Sequence, residues 1–125
     1  LDTITHEDKK VSLILTAIRD KKGVEVVAID LREKAVFCDY FFIVSGTSSV
    51  HIETIADGIE DALAKEKIRI DHHEGIAESG WIVLDAGDAI VHIFHPEKRR
   101  FYNLERLWAD ARFLEIAQQN EPSAP

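Results

Sequence analysis

A single cysteine, Cys38, is all that 125 residues contain. An intrachain disulfide and a multi-cysteine zinc site are therefore excluded, and the chain suits a reducing compartment, with Cys38 read as a small buried hydrophobe. Basic residues are also scarce: 15 Lys and Arg stand against 23 Asp and Glu, a net charge of −8. A sequence-independent grip on phosphate backbones is thus not expected to be the main source of affinity, whereas a basic partner would be attracted. No apolar run approaches the roughly 18 residues of a membrane span, and "LDTITHEDKK" at the start has no apolar signal core, so no membrane association is expected. Internal repeats and low-complexity linkers are missing as well. One domain over residues 1–116 is expected, followed by a flexible polar tail over 117–125.

What is present is a regular alternation of helical and extended patterns. Thr5 and Asp8 form a weak capping box ahead of Val11, Ile14, Leu15 and Ile18, which recur at helical spacing until Gly23. "VEVVAID" and "DYFFIVSG" read as two strands whose short connection favours antiparallel pairing. A second helix follows, with Ser48 or Ser49 as N-cap and a stripe of Ile52, Ile55, Ala56, Ile59, Ala62 and Leu63. Its other side carries Glu53, Asp57 and Asp61, a solvated acidic row or a docking face for a basic partner. "IRIDHH" is a short third strand. "GWIVLDAGDAIVHIFH" then gives two more, and the chain after Pro96 is helical, with Leu104, Leu107, Trp108 and Ala111 on one side. The order α-β-β-α-β-β-β-α predicts an α/β or α+β fold with a mixed five-stranded sheet and helices packed on it.

In the ribbon, Ala86 and Gly87 as central turn residues would set Trp81 opposite His92 and Leu84 opposite Ala89. One face then holds Ile82, Leu84, Ala89, Val91 and Ile93, all aliphatic and hence core. The other holds Trp81, Val83, Asp85, Ile90, His92 and Phe94, either a second core layer or an interface anchor with polar handles. Because Ala86 suits a type I′ turn poorly, a shifted register would redraw this division.

Catalytic readings are weak. His72-His73-Glu74 and His92-x-x-His95 invite a metal, but residues three apart on a strand point to opposite faces, so no metal is expected. "SGTSS" between strand and helix is a place for a phosphate, yet it lacks the Walker lysine and the dinucleotide glycines. Asp85-x-x-Asp88 across a turn does not aim two carboxylates at one side for a two-metal site. A non-enzyme without cofactor is expected, with a nucleotide-binding or nucleotidyltransferase-like enzyme as the alternative. Lys98, Arg99 and Arg100 beside Phe101 and Tyr102 form the one basic patch, fit for auxiliary contact with RNA.

Three segments in this order, "CDYFFIVSGTSS", "GWIVLDAGDAIVHIF" and "RRFYNLERLW", resemble the ribosomal silencing factor family, also called Iojap. The resemblance runs from the first helix to Trp108. It implies a nucleotidyltransferase-like fold without the active site, and a protein that binds the large ribosomal subunit through a ribosomal protein at the intersubunit face. The small subunit is then blocked from joining and translation is repressed, in a bacterial cytoplasm or, for relatives, in organelles, where they act in large-subunit assembly. The resemblance also implies a homodimer when free, since free members of the family are often homodimeric. The implied contact residues are Trp81, Leu84, Asp85, His92 and Phe94 on the ribbon, with Tyr102, Leu104, Glu105 and Trp108 beside it; Lys98, Arg99 and Arg100 would touch ribosomal RNA. Leu84 stands in both the core list and the contact list, and only one can hold.

Overall fold

A computed structural model describes residues 6–116. Helix α1 covers His6–Asp20 and α2 covers Ser49–Lys65; strands β1 (Val24–Asp30) and β2 (Tyr40–Ser45) lie between them. Then follow β3 (His72–Glu74), a 3₁₀ turn at Ala77–Ser79, β4 (Trp81–Asp85) and β5 (Ala89–Phe94). The last described elements are α3 (Pro96–Tyr102), α4 (Leu104–Leu107) and β6 (Arg112–Phe113). Thr5, the expected cap of α1, and the expected tail over 117–125 lie outside the described residues.

The sheet runs β3-β4-β5-β2-β1-β6. Its central β2–β5 pair is parallel and every other pair is antiparallel, so the mixed sheet and the antiparallel β1–β2 connection stand as expected. Strand number differs, six against five. The sixth, β6, is two residues paired to Ile29 and Asp30, found where a continuous helix was expected. Asn103 interrupts that helix: its φ of 46° is left-handed, its N–H closes α3 onto the Arg99 carbonyl, and α4 starts in a new direction. β3 also begins at His72 rather than Ile68. It stops at Gly75, whose φ of 86° and close approach to the Trp81 carbonyl leave no room for a Cβ.

β2 is buried along its whole length because both faces of the sheet are covered. On one face α1 and α2 press Ile14, Ile18, Ile52, Ile55, Ile59 and Leu63 against Phe42, Val44, Leu84 and Val91. Ser48 caps α2, its Oγ accepting the His51 N–H at 3.1 Å. Glu53, Asp57 and Asp61 stay exposed on the outer side. The opposite face holds a smaller core of Ile29, Leu31, Cys38, Phe41, Ile43 and Phe94, partly roofed by Leu104, Trp108 and Ala111. Leu107, expected among them, is 67% exposed because the break at Asn103 rotates α4.

Candidate functional site

The β4–β5 hairpin turns at Gly87 and Asp88, not at Ala86 and Gly87. The Ala86 N–H donates to the Ala89 carbonyl at 2.8 Å, and Gly87 takes φ 86°, a conformation glycine adopts without strain. Trp81 accordingly pairs with Phe94, Val83 with His92 and Leu84 with Val91. Moving the turn centre by one residue moves every partner by two. A shift of two preserves the side on which each residue points, so the aliphatic and aromatic faces are those of the sequence reading.

Leu84 is fully buried in the larger core and is withdrawn from the contact set. Phe94, 1% exposed, and His92, 8% exposed, are interior too and offer no surface to a partner. Both pack against Trp81, which is less buried than either. Trp81 is half-buried, its ring 4.8 Å from Phe94 and 4.6 Å from Tyr102. Its indole N–H donates to His92 Nδ1 at 3.0 Å. Tyr102 on α3 remains 43% exposed and Phe101 beside it 79%. Stacked and tilted rings at these separations hold one another in place. Asp85, half-buried at the hairpin end, accepts the Gly87 N–H at 2.9 Å. Leu104, Glu105 and Trp108 are half-buried on the roof of the same face.

Arg99 corrects the expected basic patch. Its side chain is 9% exposed, with Nε and Nη2 donating to Glu105 Oε2 at 3.0 and 2.8 Å and Nη1 to Ser45 Oγ at 2.9 Å. It is a strut between α3, α4 and the end of β2, which leaves Lys98 and Arg100 as the exposed cations of that run. Glu105 is therefore part strut, with one carboxylate oxygen engaged by Arg99.

The two tryptophans differ. Trp108 packs 6.0 Å from Phe41 and 6.1 Å from Phe37, but its Nε1 is buried without an acceptor. An unsatisfied buried donor costs about 1–3 kcal/mol. Trp108→Phe, which deletes the donor and keeps a ring there, is expected to lie within about 1 kcal/mol of the parent in urea denaturation, against the 3–5 kcal/mol typical of removing a large aromatic side chain. Phe37, 58% exposed, and Val36, fully exposed, were missed by the sequence reading. An apolar pair inside the polar turn "REKAVFCD" was the available signal.

The other polar candidates are occupied by the fold. His95 Nδ1 accepts the Glu97 N–H at the start of α3, and His73 Nδ1 lies 2.7 Å from Glu60. His72 stands 3.7 Å from Asp85. No group of three or more His, Cys, Asp or Glu among the described residues is arranged to hold a metal ion. In "SGTSS" the Gly46 N–H donates to the Phe94 carbonyl and the Thr47 N–H to His51 Nδ1, so two donors that could have met a phosphate are used internally. Burial, followed by the carboxylates of Asp39, Asp85 and Asp88, raises the Cys38 thiol to about 11, which makes it inert. No helix among the described residues is long and apolar enough to cross a membrane.

The family model for "ribosomal silencing factor during starvation" matches residues 4–125. The chain belongs to the ribosomal silencing factor family. It is 36% identical over 104 residues to a ribosomal silencing factor of Halalkalibacterium halodurans, covering 83% of this chain and 89% of that protein. It is also similar to the chloroplastic Iojap protein of Zea mays, 29% identical over 119 residues, which span 91% of this chain and 52% of the longer relative. A crystal structure of a Bacillus halodurans protein matches with a TM-score of 0.76 at 32% identity, covering 86% of this chain and 98% of that one. As a ribosomal silencing factor, the chain is a translation regulator in which the aromatic side of the sheet is the surface to explain.

Proposed function

We propose that the chain docks on a basic ribosomal protein at the intersubunit face of the large ribosomal subunit, and so prevents the small subunit from joining. The observation that carries this reading is the ring cluster of half-buried Trp81 and exposed Tyr102, packed with buried Phe94 and His92. Large rings on a rigid support are the residues that dominate protein interfaces, because they bury much area and lose little freedom on binding. Asp85 and Glu105 lie on the same face. With the net charge of −8 they favour a cationic partner, speed its approach and set its orientation. Leu104 and Trp108 extend the apolar part, and Lys98 and Arg100 are placed for auxiliary contact with ribosomal RNA. The names of the relatives support the ribosome as the partner.

The mechanism is exclusion by volume, and no chemical step is needed. A folded domain held at the edge of the joining surface occupies space that the other subunit requires. When free, the chain is proposed to be a homodimer in a bacterial cytoplasm, which light scattering across a dilution series tests. Trp81→Ala is expected to weaken co-sedimentation with purified bacterial large subunits by more than tenfold while leaving the circular dichroism spectrum unchanged. The parent chain in excess is expected to slow formation of whole ribosomes from isolated subunits. Unchanged joining in that assay would sink the reading.

A further inference from the structure

Trp81 is the centre of the proposed docking surface, and its indole N–H is held by one buried histidine. His92 lies between the rings of Phe41, at 4.6 Å, and Phe94, at 6.0 Å with the planes 12° apart. Its Nδ1 is 3.0 Å from the Trp81 indole nitrogen. An indole N–H can only donate, so Nδ1 must be the bare nitrogen of a neutral imidazole and Nε2 must carry the hydrogen. Burial supports this state by lowering the imidazole well below its ordinary value. Phe94 and Tyr102 hold the flanks of the indole, and the hydrogen bond fixes its rotation.

Resting on the docking reading above, we propose that His92 is a positioning residue for recognition, holding Trp81 as a fixed plate whose indole N–H is already spent. The partner then meets Trp81 through apolar or cationic groups laid against the ring, and not through a hydrogen bond to the indole nitrogen. This is the mode that suits a lysine- or arginine-bearing protein surface, because an aromatic face attracts a cation. Fixing the ring before contact removes an ordering cost that docking would otherwise carry.

Two substitutions separate positioning from simple packing. His92→Phe keeps a buried ring and deletes the acceptor; His92→Asn gives up packing but places Oδ1 close to where Nδ1 stood. Stability is expected to rank Phe above Asn, and docking on large subunits to rank Asn above Phe, with Phe about tenfold weaker than the parent. The structural readout is hydrogen exchange of the Trp81 indole N–H by ¹⁵N NMR, the signal being assigned by its loss in Trp81→Phe. It is expected to be protected in the parent and in His92→Asn, and to exchange freely in His92→Phe. Docking that follows the stability order overturns the proposal, as does a His92→Phe chain that docks like the parent when Trp81→Ala does not. Should neither variant fold, an unprotected Trp81 indole in the parent protein overturns it alone. Normal docking by Trp81→Ala instead removes the docking reading itself, while the exchange data still report whether His92 holds the ring.

Discussion

Arg99→Ala is expected to destabilise the domain by about 3–5 kcal/mol, the usual consequence of removing one partner from a buried charged pair. The guanidinium is inside the fold, and its loss strands Glu105 Oε2, with a side chain 28% exposed, and the hydroxyl of buried Ser45. Ser45 is buried and Glu105 partly so, and neither keeps a full replacement for the guanidinium from water. Arg99→Lys is expected to recover only part of the loss, because a single ammonium cannot donate to both Glu105 and Ser45 with the geometry of the planar fork. Urea denaturation of Arg99→Ala, Glu105→Gln and the double variant measures the coupling. An effect in the double variant equal to the sum of the singles would show that the strut does not exist. The consequence reaches the proposed docking surface, since Arg99 holds α3 to the end of β2 and α3 carries Tyr102 against Trp81.

Arg99 also marks where sequence reasoning stopped. In "EKRRFY" it is indistinguishable from its neighbours, and Arg after Arg reads as solvent-facing charge. Its burial depends on Ser45, 54 residues away, and on Glu105, which the left-handed turn at Asn103 brings back toward α3. By contrast, the faces of the β4–β5 ribbon were legible from alternation alone. They survived a wrong turn centre because the error moved partners by two residues, and the period of a strand is two. β6 was invisible for a different reason: two residues show no period, and this strand exists only because β1 offers an edge at Ile29 and Asp30. The contact list suffered most at Leu84, Phe94 and His92. Resemblance to a family names positions without saying which side chains are exposed, and burial makes that distinction here.

His92 has a second consequence, in the dependence of stability on pH. Burial lowers its imidazole from an ordinary 6.5 to about 4, so the folded chain keeps it neutral where the unfolded chain protonates it. Above pH 6.5 both states are neutral and the group contributes no slope. Between pH 6.5 and about 4 the unfolded state binds the extra proton, and stability falls as the pH falls, by about 1.4 kcal/mol per pH unit in mid-range. Below about 4 both states are charged and this slope ends, after a total of about 3 kcal/mol. Asp30 acts in a separate window. The hydrogen bonds from Arg32 hold its carboxyl below the usual 3.8, so its stabilisation is present above that value and lost beneath it. Urea midpoints taken from pH 7.5 to 4.5 therefore cover the His92 window and stay above that of Asp30, and the difference between the parent and a His92 variant gives the share of this histidine. His92→Phe is expected to flatten that part of the profile, and a variant that keeps the parent slope would assign the acid sensitivity to other groups. Because protonating His92 would also break the Trp81 hydrogen bond, carrying the titration further down, through the folded-state value of about 4, is expected to free the Trp81 indole N–H as the proton enters, joining acid sensitivity and the shape of the proposed docking surface in one side chain.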